Sequence, residues 1–179
     1  MQAQNILDFW FNELTPKQHF VKDAALDDAM RTRFGATIEA AARCELWHWR
    51  TTPEGRLAEI IVLDQYSRNV YRDTPRAFAQ DSLALVLAQE LVASGQDATL
   101  PPAQRAFAYM PCMHSESALV HQQAVALFSR LGDENNLSFE LRHQAIITRF
   151  GRYPHRNAIL GRASSVEEIA FLAEPGSSF

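Results

Sequence analysis

The stretch SESALVHQQAVALFSRLGDENNLSFELRHQAIITRFG, residues 115–151, decides the fold class. Its apolar side chains recur three and four positions apart, the spacing that lines one face of an α-helix, and it has none of the β-branched alternation that marks strands. Ser115 is read as the cap of a helix running from Glu116 to Leu131, and Gly132 stops it. A second helix spans about 136–150 and stops at Gly151. Two long helices joined by a short break pack as an antiparallel pair, and the rest of the chain repeats the pattern.

Toward the N-terminus, Ile6, Leu7, Trp10, Phe11 and Leu14 form a broad apolar face over residues 3–13. Residues 25–34 and 36–49 read as helical, with Gly35 as a weak break. Thr52-Pro53 places a capping hydroxyl before a proline at the first helical position, where its missing N–H costs nothing, and the helix runs to about Ser67. Thr74-Pro75 predicts the same device for a long helix through Ala93, closed by Gly95. Pro102 opens a short helix expected to end before Pro111. Pro154 begins a turn of helix to Leu160. Ser164-Ser165-Val166-Glu167 reads as a capping box for a last helix at 165–173. The expectation is an all-α chain of about nine helices, either a compact bundle or a stack of helical hairpins. No repeat near 34 residues is visible.

A chain of 179 residues fits one domain, 1–179, better than two. Hydrophobic residues at 47% and charged residues at 21%, with seven Gly and eight Pro, exclude collagen-like, disordered, membrane-spanning and disulfide-scaffold classes. The net charge of −4 argues against a nucleic-acid partner, whose phosphates call for the opposite sign. Cys44 and Cys112, in apolar surroundings and without CxxC spacing, read as buried reduced thiols. The N-terminal MQAQNILDFWF has no basic leader region, so the cytoplasm is the expected compartment, with no membrane association.

Residues 141–166 stand out, because they contain no Asp or Glu yet carry Arg142, Arg149, Arg152, Arg156 and Arg162 with His143 and His155. Such a block needs negative partners, either carboxylates elsewhere in the chain or an anionic ligand. Gly151 turns the chain out of one helix and Pro154 starts the next. The N–H groups of residues 155–157 are therefore expected at a helix N-terminus suited to an anion, with Arg152, Arg156 and Asn157 beside it. The same arginines would serve equally as clamps on helix ends and buried carboxylates. In a second cluster, His114 precedes the expected cap at Ser115, with Glu116 in the first turn, an arrangement that suits a base and its orienter. In a third, Asp64 and Arg68 lie four apart on one helix face. Asp64 follows Ile60, Ile61, Val62 and Leu63, so a buried carboxylate there calls for an arginine from the acid-free block. No HExxH or paired Cys/His spacing points to a metal, and His143 reads as a core histidine. No Gly-rich nucleotide loop, Walker lysine or serine elbow is present, so no cofactor is expected.

Four segments in order then carry a resemblance: Ile6–Phe11, LDQYSRNVYRDTPRAFAQD at Leu63–Asp81, YMPCMHSES at Tyr109–Ser117, and RFGRYPHRNAILGR at Arg149–Arg162. Together they resemble a bacterial family catalogued as domain of unknown function 924. The resemblance implies an all-α fold similar to tetratricopeptide-type helical hairpins and implies no activity. Its motifs fall on the polar clusters already found, so Asp64, Arg68, His114, Glu116, Arg152, His155, Arg156 and Asn157 are expected to converge. The reading that follows is a pocket for a small anion, a carboxylate or a phosphate-bearing metabolite, held by Asp64, Arg68, Arg152, His155, Arg156 and Asn157. The alternatives are a hydrolase or transferase with His114 or His155 as base and Glu116 or Asp64 as orienter, and a scaffold that holds a partner peptide against Trp10, Trp47 or Trp49.

Overall fold

Thr52 caps the central helix as its sequence predicts: its Oγ1 accepts the N–H of Gly55 at 3.1 Å, and Pro53 takes the first helical position. Only glycine fits three residues into this turn, because a Cβ on Gly55 would lie 2.0 Å from the carbonyl oxygen of Trp49. The computed structural model describes residues 1–178. Among these it has eight helices and no strand. They are α1 (3–13), α2 (Ala24–Ala42), α3 (53–70), α4 (Asp81–Ala93), α5 (Pro102–Met113), α6 (Ala118–Leu131), α7 (Glu134–Phe150) and α8 (Val166–Leu172). No helix among the described residues is long and apolar enough to cross a membrane.

Helix α3 is the hub. It packs against α1, α2, α4 and α5, while α5, α6 and α7 follow one another as consecutive neighbours. Its inner face is apolar from Leu57 to Leu63 and fully buried. Around Tyr66 gather Trp10, at 5.5 Å between ring centroids, and Phe34, at 5.1 Å. A polar clamp joins α2 to α3, with Asn69 and both arms of Arg72 bonded to the Asp27 carboxylate. A smaller apolar group of Ile146, Ile147 and Tyr153, backed by Phe150 and Phe171, seats the C-terminal segment. Thr52→Ala is expected to cost about 1 kcal/mol through loss of the cap, read as a lower midpoint in a urea titration.

Several boundaries differ from the sequence reading, each for a local reason. Helix α2 runs unbroken through Gly35, since a single glycine costs only about 1 kcal/mol in a helix interior. Thr74 opens no long helix: its hydroxyl donates to the Tyr71 carbonyl at 2.7 Å, a single 3₁₀ turn covers Pro75–Ala77, and α4 starts afresh at Asp81. Pro111 lies inside α5, where burial of Phe107–Met113 outweighs one lost backbone bond near the helix end. Ser115 does not cap α6. That helix begins at Ala118, and the Ser115 hydroxyl instead accepts the N–H of Ser117, leaving Glu116 outside the helix. The segment after Pro154 is a 3₁₀ turn of three residues, Pro154–Arg156. The last capping box pairs Ser165 with Glu168, one register later than expected. Cys112 is buried, but Cys44 is exposed, at a left-handed turn just after α2.

Candidate functional site

Within α3 the helix widens to a π-helical turn over Val62–Tyr66, a distortion found often at functional sites. This turn carries Asp64, which is 1% exposed. A buried carboxylate must have its lone pairs occupied, and here they are. Oδ1 accepts from Nδ1 of His114 at 2.8 Å and from Nη1 of Arg68 at 2.9 Å, and Oδ2 accepts from Nε2 of Gln65 at 2.5 Å. Burial works to raise the Asp64 carboxyl, but Arg68, His114 and Gln65 outweigh it and hold it well below the usual carboxylate range. For His114 the balance runs the other way. Burial and the Arg68 guanidinium, which shares the same carboxylate oxygen, lower its pKa more than Asp64 raises it. The imidazole is therefore neutral at pH 7. Since the carboxylate can only accept, Nδ1 carries the proton and Nε2 keeps its lone pair.

Beside this dyad, Arg68 also forms a two-pronged bond to Asp81, both contacts 2.9 Å. Arg156 reaches the same carboxylate at 3.2 Å and donates to the His114 carbonyl at 3.0 Å. Its guanidinium lies 4.8 Å from the ring centre of Phe78 and 4.5 Å from that of Tyr153, and its Nε is buried without a partner. Burial and the neighbouring Arg68 both depress its pKa. Thus two guanidiniums converge on Asp81, and the second has no carboxylate of its own.

These groups open onto a cleft of about 760 Å³ between α3, the end of α5, α7 and the Tyr153–Arg156 turn. Arg68, Arg156, His114, His143 and His155 line it, with Phe78 and Met113. His143 donates or accepts at the Phe139 carbonyl (2.7 Å), and its ring centre lies 6.5 Å from that of His114. His155 contributes a buried Nδ1 without a partner.

The remaining candidates go elsewhere. Glu116 bonds both arms of Arg162, at 2.6 and 2.9 Å, and the N–H of Tyr153 at 2.8 Å, so the orienter of His114 is Asp64. Arg152 is bound to Glu168 at 2.7 and 2.8 Å and lies outside the cleft lining. Asn157, also outside it, is buried and braces Arg162 and Ser164. The N–H groups of Arg156 and Asn157 are already bonded to the carbonyls of Tyr153 and Pro154. The helix N-terminus expected to receive an anion is therefore absent, because the turn is too short to leave free amides. Four arginines of the acid-free block find carboxylates outside it: Arg149 with Glu167, Arg152 with Glu168, Arg156 with Asp81 and Arg162 with Glu116. The arginine that Asp64 requires comes from its own helix, not from that block.

Sequence reasoning missed Asp81, Gln65 and Phe78. Asp81 lies in one of the quoted motifs, but the expected long helix hid it. Behind the cleft, His121 and Glu140, both fully buried, pair at 2.7 Å, and Nε2 of His121 meets the Ser115 carbonyl and the Tyr153 hydroxyl. Burial pushes the Cys112 thiol up to about 12, which rules it out as a nucleophile at neutral pH. Among the described residues no three His, Cys, Asp or Glu side chains are placed to hold a metal ion.

A family model described as bacterial protein of unknown function (DUF924) matches residues 6–176. A solved structure of a protein of unknown function from Agrobacterium tumefaciens is similar over 96% of both chains, with 39% sequence identity and a TM-score of 0.91. Comparison with curated proteins gives no match.

Proposed function

Since the chain belongs to this family of bacterial proteins of unknown function, its chemistry has to be read from the cleft, and we propose that the cleft binds a small anionic ligand, carboxylate- or phosphate-bearing, between Arg68 and Arg156. Arg156 is the observation that carries the reading. It is 6% exposed, shares its one carboxylate with Arg68, and keeps a buried Nε–H unbonded. A buried, under-paired guanidinium is costly, and an anion in the cleft supplies the missing charge and acceptors. Lys22, Arg68, Arg72, Arg142 and Arg156 line the cleft against Asp73 alone. Carboxylates behind the wall (Asp27, Asp64 and Asp81) offset most of that charge, so selectivity rests on the two planar forks rather than on a long-range field. The volume suits a metabolite.

The same reading takes the chain as one cytoplasmic domain of tetratricopeptide-like hairpins, in keeping with the consecutive packing of α5, α6 and α7. A peptide scaffold has less support, because Trp10 and Trp49 are buried and Trp47 alone among the tryptophans is exposed.

A thermal-shift series with phosphate, sulfate, nucleotides and di- and tricarboxylates tests the proposal. At a hundredfold excess over Kd a ligand adds about 2.7 kcal/mol, which corresponds to roughly 5–10 °C for a chain of this size. At least one anion is expected to give such a shift, and Arg156→Ala and Arg156→Lys to abolish most of it. The absence of a shift with every anion overturns the reading.

A further inference from the structure

We infer that His114, oriented by Asp64, is a general base that activates water for hydrolysis of an anionic ester in the cleft, with Arg68 and Arg156 holding the charge that develops. This rests on the anion-binding reading of the same cleft.

A second histidine–carboxylate pair in the molecule provides an internal contrast. In His121–Glu140 both side chains are fully buried and both ring nitrogens are engaged, so that pair can only brace the fold. In the Asp64–His114 pair the carboxylate is equally buried, but the imidazole is 16% exposed and lines the cleft. Nothing among the described residues is bonded to its Nε2 in the way the Ser115 carbonyl is to Nε2 of His121. A carboxylate that fixes the tautomer at one nitrogen and leaves the other facing a solvent-reachable hollow is what a base requires.

The charged and titratable groups around His114 are Asp64 and Arg68 from α3, Asp81 from α4, His143 from α7, and His155 and Arg156 from the 153–156 turn. The guanidiniums sit on the dyad itself: Arg68 shares its Asp64 oxygen, and Arg156 bonds its backbone carbonyl. They are therefore placed to stabilise an oxyanion forming next to Nε2. No side-chain nucleophile competes, because Cys112 and Ser67 are both buried. In the step proposed, Nε2 takes a proton from water as the water oxygen bonds to the carbonyl carbon or phosphorus of the ester. The bond to the leaving oxygen then breaks with its electron pair, and the imidazolium returns its proton to that oxygen. The products are the free acid and the alcohol.

The probes are p-nitrophenyl phosphate and mono-p-nitrophenyl succinate, with p-nitrophenolate release as the readout. The wild-type protein is expected to turn over at least one of them. His114→Gln should lower kcat/KM by about 10²-fold or more while keeping the thermal shift given by anions, and Asp64→Asn should also slow turnover. The rate should rise with pH and level off at an apparent pKa below the usual imidazole value of about 6.5. In the wild-type protein at pH 7, ¹⁵N NMR should find His114 neutral with its proton on Nδ1, a readout that needs no variant. Failure to cleave either ester, full activity in His114→Gln, or a proton on Nε2 overturns the inference. Anion-induced stabilisation without ester cleavage leaves the binding reading standing and removes only this one. Cleavage without any anion shift does the reverse.

Discussion

Asp64→Ala is expected to destabilise the protein by about 3–5 kcal/mol, the cost of removing one partner from a buried ion pair. At roughly 2–4 °C per kcal/mol for a chain of this length, the unfolding temperature should fall by about 6–20 °C. The carboxylate is 1% exposed and accepts from three side chains at once. Its loss leaves the Gln65 amide and the Nδ1–H of His114 unpaired in the interior, and leaves Arg68 with Asp81 alone, which Arg156 also needs. Asp64→Asn keeps the shape and one acceptor oxygen, so its cost should be smaller. Differential scanning calorimetry of the two variants separates the outcomes. Equal and small losses in both would show that the site is wetter and looser than its hydrogen bonds require.

The second large effect is acid sensitivity. Burial pushes His143 down to about 3, against a weaker opposing bond from the Phe139 carbonyl. Burial, followed by the Arg156 charge, takes His155 down to about 4. Both rings are neutral in the folded protein at pH values where the unfolded chain protonates them, near 6.5. Between those limits the unfolded state holds more protons than the folded one, so stability rises with pH and is lost as pH falls from about 6.5 toward 4. Each such group contributes about 1.4 kcal/mol per pH unit across its window. The depressed carboxyl of Asp64 adds to the loss only at lower pH, since its contribution is complete above about 3.9 and disappears as pH falls through its folded value. Glu140 opposes it: burial raises its pKa, so its contribution is complete below about 4.3 and disappears as pH rises through the folded value. Against a typical total of about 5–15 kcal/mol, the histidines are enough to place acid unfolding on the order of pH 4–5. Thermal midpoints measured from pH 7 to 4 should fall steeply, and less so in His143→Leu. A flat profile over that range would mean that the two rings are not held neutral.

How much of this could be read from residue order depends on how local the cause is. Gly95, Gly132 and Gly151 take the left-handed conformation that ends a helix, with φ of 70°, 78° and 69°, and each was recognisable because the adjacent periodicity ends there. The Thr52 cap was equally legible. Thr74 offered the same local signal and failed, because its hydroxyl found the Tyr71 carbonyl first. Gly35 and Pro111 read as breaks, but helices α2 and α5 bury enough apolar surface on either side to carry through them. In the site, the Asp64–Arg68 pair was legible as a four-residue spacing on one helix. The Asp64–His114 bond joins residues 50 apart in the chain, and the Arg156–Asp81 bond joins residues 75 apart. No spacing rule reaches that far.

The order of residues alone, through its helical periodicity, caps and four ordered motifs, established an all-helical chain and its family. It also showed that a block of arginines without acids must find carboxylates elsewhere. Which carboxylate each arginine found was decided only when the helices packed. Helical repeat and capping are set by neighbours within a turn or two of the backbone, whereas an ion pair forms between whichever charged side chains the packed core brings within about 3 Å of each other. Glu116 and His114, two residues apart, were thereby sent to different partners, and Asp64 and His114, far apart in the chain, were brought together.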